Sequence, residues 1–403
     1  MNNKKGTNNQ DIKRLNKLLI LKMIATENSL SRIDIASRTG LTKMTVGNLI
    51  IELLEENLIS EKEITNSEAP KRNGRKPVVF SISDKSPCIL GILIKRELCQ
   101  LIIGDLSGSI LDSIIYTYES LNDASELLSL LYGGYLQLLQ RTNRRIIYIG
   151  ISSVGPIDTQ KGTILNPPFF YGIHDVPIAS FFEEKTGLPV YLINDANAGA
   201  LAEKLYGMMA NEKNYLYLHI MNGIGTGIII NDVLYEGNTG QSGELGHTSI
   251  NYAGPICDCG NRGCLELYAN INAMRSMINQ HRILFPDSPL SKINKPRWED
   301  IVVKATQKDV LAEMVLANYC SYVSYALINI LKILNISTIV TGYTNPAGGD
   351  FIEQLLQNSL SQPSLIQTLG NVIVKHSSFD DNAPLIGSIA FINNKIFNGE
   401  LPL

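Results

Sequence analysis

GELGHTSINYAGPICDCGNRGCLE, residues 243–266, carries one histidine and three cysteines in the spacing His247-x9-Cys257-x-Cys259-x4-Cys264. One imidazole and three thiolates are the ligand number and softness that a structural zinc site takes. With all four positions filled by protein, no place remains for an activated water, so a Zn2+ ion here is expected to staple a loop rather than catalyse. Cys257 and Cys259 stand so close that the chain must turn tightly, which Asp258, Gly260 and Gly263 permit. The bland alternative is three free thiols near an unrelated histidine. Cys88, Cys99 and Cys320 have no such company and read as ordinary buried thiols. Crowded cysteines of this kind belong in a reducing cytoplasm, not in a disulfide framework.

On both sides of this loop the sequence alternates strand-like and helix-like segments. Strand-like runs fall at 89–94, 101–105, 146–152, 190–193, 215–220 and 227–230, with periodic segments at 124–140, 178–186 and 196–206 between them. Residues 304–334 read as one long or broken helix, followed by a buried strand at 338–340. Such alternation predicts packed α/β layers. Asn194-Asp195 follows the run 190–193, where an open α/β fold faces its crevice. There an aspartate could accept a hydrogen bond from a hydroxyl or take its proton; the alternative is a helix cap for 196–206. Gly223-Ile224-Gly225-Thr226-Gly227 could cradle a phosphate on backbone amides, or could simply turn. Glu244 and Glu266 bracket the metal-ligand run.

Before residue 83 the texture differs. Residues 15–27 place Leu15, Leu18, Leu19, Lys22, Met23 and Thr26 along a helical stripe whose apolar members are expected inward. Ser31 and Asp34 can cap a second helix, 32–39, that stops at Gly40, and Thr42 can cap a third, running to about 57. Two helices joined across Thr39-Gly40-Leu41 form a helix-turn-helix, and the third would enter a major groove with Lys43, Met44, Thr45 and Asn48 outward. Lysine suits phosphate or guanine, asparagine suits adenine, and threonine suits a phosphate or a thymine methyl. Two strand-like runs, 58–60 and 77–83, flank Lys71, Arg72, Arg75 and Lys76, four cations around a glycine that make a plausible wing. The alternative is a three-helix interaction module with a solvated basic loop. Charge favours DNA: residues 1–83 hold 14 basic and 9 acidic side chains, a balance of +5, whereas the rest carries −8.

At 403 residues the length suggests two or three domains, and 44% hydrophobic with 18% charged residues describes a soluble globular chain. The apolar runs read as shorter than the roughly 18–20 residues of a membrane span, so no membrane insertion is expected. The polar start, MNNKKGTNNQDIKR, has no signal-peptide pattern, and the expected location is the cytoplasm.

Taken together, GELGH (243–247), CDCGNRGCLE (257–266), NDANAGALAE (194–203) and NGIGTGIII (222–230) resemble the ROK family of repressors, open reading frames and sugar kinases. The resemblance spans about 88–395. With the basic head it extends to the whole chain, in the manner of the family's xylose and N-acetylglucosamine repressors. It implies a fold of class α/β: an N-terminal winged helix-turn-helix and a two-lobed actin/hexokinase-like (ribonuclease H-like) body with sugar in the cleft. The domains would be 1–82, the DNA-binding head; 83–195, a first lobe to which 380–403 returns; and 196–379, a second lobe with the zinc loop. The resemblance further implies a structural zinc and a homodimer or homotetramer. Carried across, Asn194, Asp195, Glu244 and Glu266 would meet sugar hydroxyls, and His247 would bind zinc beside the sugar. Gly155 and Asn166 would lie in the segment that closes over it.

One departure separates the branches. Kinase members open the body with a DxGGT-type turn whose glycines admit ATP phosphates, whereas this chain reads Leu93-Ile94-Lys95-Arg96-Glu97-Leu98. The later glycine pair reads Gly342-Tyr343. The resemblance therefore implies a sugar-responsive repressor of carbohydrate-utilisation genes without kinase activity and without catalytic residues. Its partners would be operator DNA and a monosaccharide or sugar-phosphate effector. Two alternatives are an active sugar kinase with a DNA-binding head, and a repressor controlled by a sugar-transport protein.

Overall fold

The computed structural model describes residues 8–27, 29–63, 78–220 and 223–403. Asn8 opens α1 (Asn9–Thr26) with a capping box shared with Asp11. After β1 (Leu30–Ser31), Ser31 and Asp34 build the same device for α2 (Arg32–Thr39), which stops at Gly40 in the left-handed region. Thr42 caps α3 (Lys43–Glu55), whose inward side is Val46, Leu49, Ile50 and Leu53. Two strands follow, β2 (Ile59–Glu63) and β3 (Val78–Ile82), forming with β1 an antiparallel sheet in the order β1-β3-β2. Three helices on a small sheet are a winged helix-turn-helix. The cations Lys71, Arg72, Arg75 and Lys76 lie outside the described residues.

The face expected for α1 is corrected. Leu15 and Leu19 are exposed, and the buried set is Leu18, Ile20, Leu21, Ile24 and Ala25. The helix is apolar on two sides, and the side centred on Leu21 and Ile24 fits the core. The other side reaches the C-terminal segment: Arg14 Nη1 donates to the Gly399 carbonyl at 3.2 Å. A second tie joins head and body at the linker. Ser83 N donates to the Leu58 carbonyl, and Arg144 donates to the carbonyls of Ser83 and Ser86 and to Ser86 Oγ.

The chain divides into two compact units, residues 1–193 with 388–403, and residues 194–387. The body of the first holds β4 (Cys88–Ile94), β5 (Leu98–Gly104), β6 (Ile110–Thr117), α4 (Ala124–Arg141), β7 (Ile146–Ser153), the short pair β8 (Ile157–Asp158) and β9 (Thr163–Ile164), α5 (Ile178–Thr186) and β10 (Val190–Asn194). Its sheet runs β10-β7-β4-β5-β6, with β4, β5 and β6 antiparallel and β7 parallel to β4. The second unit starts with α6 (Asp195–Tyr206) and continues through β11 (Tyr215–Ile220), β12 (Ile224–Ile230) and β13 (Val233–Leu234). Then come α7 (Ile271–His281), α8 (Trp298–Thr306), α9 (Val310–Leu334), β14 (Thr338–Gly342), α10 (Phe351–Leu360), α11 (Pro363–Leu369) and β15 (Ile373–His376). Its sheet, β13-β12-β11-β14-β15, repeats the plan: three antiparallel strands, then parallel neighbours. Two sheets of one topology are the doubled ribonuclease H-like arrangement of the actin and hexokinase folds. The last helix, α12 (Ala383–Phe397), contains the unit boundary.

Two readings that the sequence leaves open are decided here. The glycine run 223–227 is mostly strand β12, not a phosphate loop: a side chain on Gly227 would collide with Ala196 and Ala200 of α6, so its bareness serves close packing. The segment 304–334 is broken at Gln307–Asp309, where Asp309 caps α9 by accepting from Leu311 N and Ala312 N. By length and mean hydropathy (1.4) α9 qualifies as a membrane span, which corrects the reading of the apolar runs as too short. Half of that window is buried, and Leu311, Val315, Tyr319, Val323 and Leu327 belong to the second unit's core.

A buried polar knot closes the far end of that core. Glu353 accepts from Thr341 Oγ1, from Tyr343 OH at 2.9 Å and pairs with His376 Nδ1 at 2.9 Å, while His376 Nε2 meets Asp380 at 2.6 Å. Burial alone would lower the His376 pKa, but hydrogen bonds to Glu353 and Asp380 hold it above the usual value. Burial alone would raise Glu353, yet His376 and Thr341 hold it below. The raised histidine contributes stability that is complete below its unfolded pKa and lost as pH rises through its folded one. The depressed glutamate contributes stability that is present above its unfolded pKa and lost as pH falls through its folded one. Both are therefore in force between about pH 4.3 and 6.5. His376→Ala leaves Glu353 buried without its cation and should cost about 3 kcal/mol in urea unfolding. A loss under about 0.5 kcal/mol would mean that Thr341 and Tyr343 suffice.

Candidate functional site

In the head, Lys43, Met44 and Asn48 stand exposed on the first turns of α3, Met44 at 76%. Thr45 is half-buried, and its hydroxyl lies 2.9 Å from that of Thr42 within the cap. Four other cations of the head are paired: Lys13 with Glu52, Lys17 with Glu56, Arg32 with Glu61 and Arg38 with Glu27. Lys43 has no carboxylate partner among the described residues.

The second unit gathers the remaining chemistry. Asn194 caps α6, its Oδ1 accepting from Ala196 N (3.0 Å) and Asn197 N (3.4 Å), so its carbonyl side serves the helix and its amide remains for a ligand. Asp195, first residue of the helix, accepts from Ala196 N at 2.8 Å, a favourable end of the helix for a carboxylate. The far end of α6 is pinned by fully buried Glu203, which accepts from Ser377 Oγ, Ser378 N and Ser378 Oγ. The helix therefore presents Asp195 from a fixed mount.

Glu244 is open to solvent on one side with protein closing the others. That burial holds its carboxyl above the usual range, the Asp195 and Glu266 carboxylates raise it further, and His247 opposes them. Glu266 is half-buried and lies 3.7 Å from His247 Nε2. Gly246 gives its carboxylate room, since a Cβ there would stand 3.1 Å from Glu266 Oε2. Gly243 has φ +87°, and any side chain would strike the Thr226 carbonyl, whose own N–H donates to the Gly243 carbonyl at 2.8 Å. Three carboxylates acting on one another at the mouth of a strand suit a ligand that donates many hydrogen bonds.

The four proposed metal ligands converge. The ligand atoms of His247, Cys257, Cys259 and Cys264 all lie within 4.8 Å of one another. Cys259 Sγ stands 3.6 Å from Cys264 Sγ, and Cys257 Sγ stands 3.7 Å from His247 Nδ1. Atoms about 2.1–2.3 Å from a tetrahedral zinc stand about 3.5–3.8 Å apart, so the spacing fits the ion. Loop geometry supports this: Gly260 N donates to the Cys257 carbonyl, Cys257 N to the Asn261 carbonyl, and Asn261 Nδ2 to the His247 carbonyl. His247 thus turns Nδ1 to the thiolates and Nε2 to Glu266. Cys88, Cys99 and Cys320 are buried, and burial pushes the Cys99 thiol up to about 12.

Gly155, half-buried, and Asn166, exposed, belong to the first unit. Also in the first unit, Lys95–Leu98 is a tight hairpin turn, with Lys95 N donating to the Leu98 carbonyl. Arg96 spends its Nε on the Pro168 carbonyl at 2.8 Å, and Tyr118 OH donates to the Lys95 carbonyl at 2.6 Å. Sequence reasoning missed His219, a buried histidine near the end of β11 whose Nε2 lies 3.9 Å from Asp195 Oδ2. A polar residue closing the apolar run YLYLHI was the available signal.

The family profile described as ROK family matches residues 90–395. The chain is 30% identical to a xylose repressor of Caldicellulosiruptor bescii over 387 residues, covering 94% of this chain and 96% of that protein. It is 26% identical to the DNA-binding transcriptional repressor Mlc of Escherichia coli, covering 97% and 95%. Among solved structures it resembles a ROK family transcriptional regulator, a homologue of the Escherichia coli protein MLC, with a TM-score of 0.76, 26% identity and coverage of 96% and 97%. A glucokinase of Streptomyces griseus shares the fold at a TM-score of 0.66 and 22% identity, covering 75% of this chain and 98% of that one.

Proposed function

The chain belongs to the ROK family, and from that premise we propose that it is a sugar-responsive transcriptional repressor of carbohydrate-utilisation genes, acting in the cytoplasm as a homodimer or homotetramer. The observation that carries this reading is one chain holding both a winged helix-turn-helix and a cluster of Asp195, Glu244 and Glu266 beside the His247 loop. Asn194, Asp195, Glu244 and Glu266 would bind sugar hydroxyls, and charged acceptors make such hydrogen bonds strong. Gly155 and Asn166 are assigned to the segment over the sugar. His247, Cys257, Cys259 and Cys264 would hold zinc, which would fix the imidazole with Nε2–H toward Glu266 and the sugar. Arg96 spent on Pro168 and the closed turn at Lys95–Leu98 support a site that recognises sugar without phosphorylating it.

The head would read an operator through Lys43, Met44, Thr45 and Asn48, with Lys71, Arg72, Arg75 and Lys76 as the wing. A sugar changes operator affinity only by favouring one arrangement of paired heads over another. The contacts of Arg14 with Gly399 and of Arg144 with the linker join each head to its own first unit. Lys43→Ala is expected to weaken operator binding and flatten the plot of log affinity against log salt by about one unit; an unchanged slope would mean that Lys43 meets no phosphate.

Thermal unfolding with D-xylose, D-glucose, N-acetyl-D-glucosamine and their phosphorylated forms, each with and without ATP, tests the effector. A sugar at 100 times its Kd should stabilise the protein by about 2.7 kcal/mol without ATP. A shift seen only with ATP present would favour the kinase reading.

A further inference from the structure

His219 sits in a slot built for it. In the sheet it pairs with Gly225 of β12 on one side and Gly342 of β14 on the other. Paired residues point to the same face of a sheet, so Gly225 sets no side chain beside the imidazole, while the space over Gly342 is taken by the Tyr217 hydroxyl. That face is turned to α6: a Cβ on Gly225 would stand 3.2 Å from Ala196 Cβ. Tyr217, two residues earlier on the same face, stacks on the imidazole with ring centroids 6.1 Å apart and planes at 19°. A large apolar side chain would fill such a slot more cheaply, since burying a polar group costs free energy unless something answers it. Asp195 stands beside the imidazole, its Oδ2 3.9 Å from Nε2, both side chains at least four-fifths buried.

The cluster consequently has two carboxylate–imidazole pairs, Glu266 with His247 and Asp195 with His219. The first imidazole is oriented by the thiolate cluster through its Nδ1. The second is oriented by the glycine slot and the Tyr217 ring. In each pair the imidazole edge faces one carboxylate oxygen, and the carboxylate's remaining lone pairs are left to accept from a ligand.

We infer that His219 is a positioning residue of the sugar site: its imidazole, with Nε2 3.9 Å from Asp195 Oδ2, orients the Asp195 carboxylate as an acceptor for a sugar hydroxyl. The inference rests on the sugar-binding reading above and adds a residue that reading does not contain.

The test is calorimetric titration of the full-length protein with D-xylose, D-glucose, N-acetyl-D-glucosamine and their phosphorylated forms. It is repeated on His219→Gln, which keeps a donor near the Nε2 position, and on His219→Leu, which fills the slot without one. Thermal unfolding of each free protein checks that it is folded. The expected result is affinity for whichever sugar of the panel the wild type binds, lowered about ten- to a hundredfold in His219→Leu and restored to within about threefold in His219→Gln. Equal affinity in the wild type and His219→Leu overturns the inference, as does equal loss in both variants when both are folded. A wild type that binds none of the panel overturns the sugar reading itself, and the inference with it. That failure is distinguishable because it precedes any substitution.

Discussion

In Cys259→Ser protein the bound metal should fall from about one equivalent per chain to a trace, and thermal stability should fall with it. The four ligand atoms lie within 4.8 Å of one another, while the loop's two ends are also tied by backbone hydrogen bonds such as Leu265 N to the Thr248 carbonyl. Structural zinc contributes apparent binding energies of about 10–16 kcal/mol in small zinc-dependent folds. Here the ion would close only residues 247–264, and the unit around it has its own core. The loss should therefore be partial: each 1 kcal/mol lowers the midpoint by about 2–4 °C in a unit of this size. Sugar binding should weaken as well, since an unanchored His247 no longer presents Nε2 to Glu266. Metal analysis and a melting curve decide it. Full metal content in the variant would show that Cys259, the exposed thiol of the set, is not a ligand.

Glu244→Gln should weaken sugar binding about ten- to a hundredfold while leaving sugar-free operator binding intact, because a charged acceptor is replaced by a neutral one. The wild type should also show a pH dependence that the variant lacks. Burial, aided by the Asp195 and Glu266 carboxylates, holds Glu244 protonated to a higher pH than an ordinary glutamate. Sugar affinity should therefore rise with pH through that raised value and then level off. Titrations at several pH values on both proteins test the pair of statements. Identical pH profiles would place the titrating group elsewhere.

Much of this was legible from the sequence because it rests on local rules. Ser31 with Asp34, Gly40 and Thr42 set the ends of α2 and the start of α3 through caps that act within four residues. The gathering of His247, Cys257, Cys259 and Cys264 was legible from spacing alone. Features that depend on neighbours far along the chain were not. The stripe on α1 was assigned to the wrong face because both sides are apolar and only the partner decides which is buried. The glycines of 223–227 could be read as an open loop until α6 was seen against them. His219 gains meaning only from Asp195, Gly225 and Gly342, and the Glu353–His376 knot joins residues 23 apart that share no motif.

The central claim is that this chain holds an operator and yields or tightens its grip when sugar binds. It is tested most directly by titrating the protein onto DNA from upstream of its own coding region, with and without D-xylose, at fixed salt. The account predicts specific binding whose affinity changes about tenfold or more with sugar, and a change lost in Glu244→Gln. Specific binding that no free or phosphorylated sugar alters, or the absence of any specific binding, would contradict it.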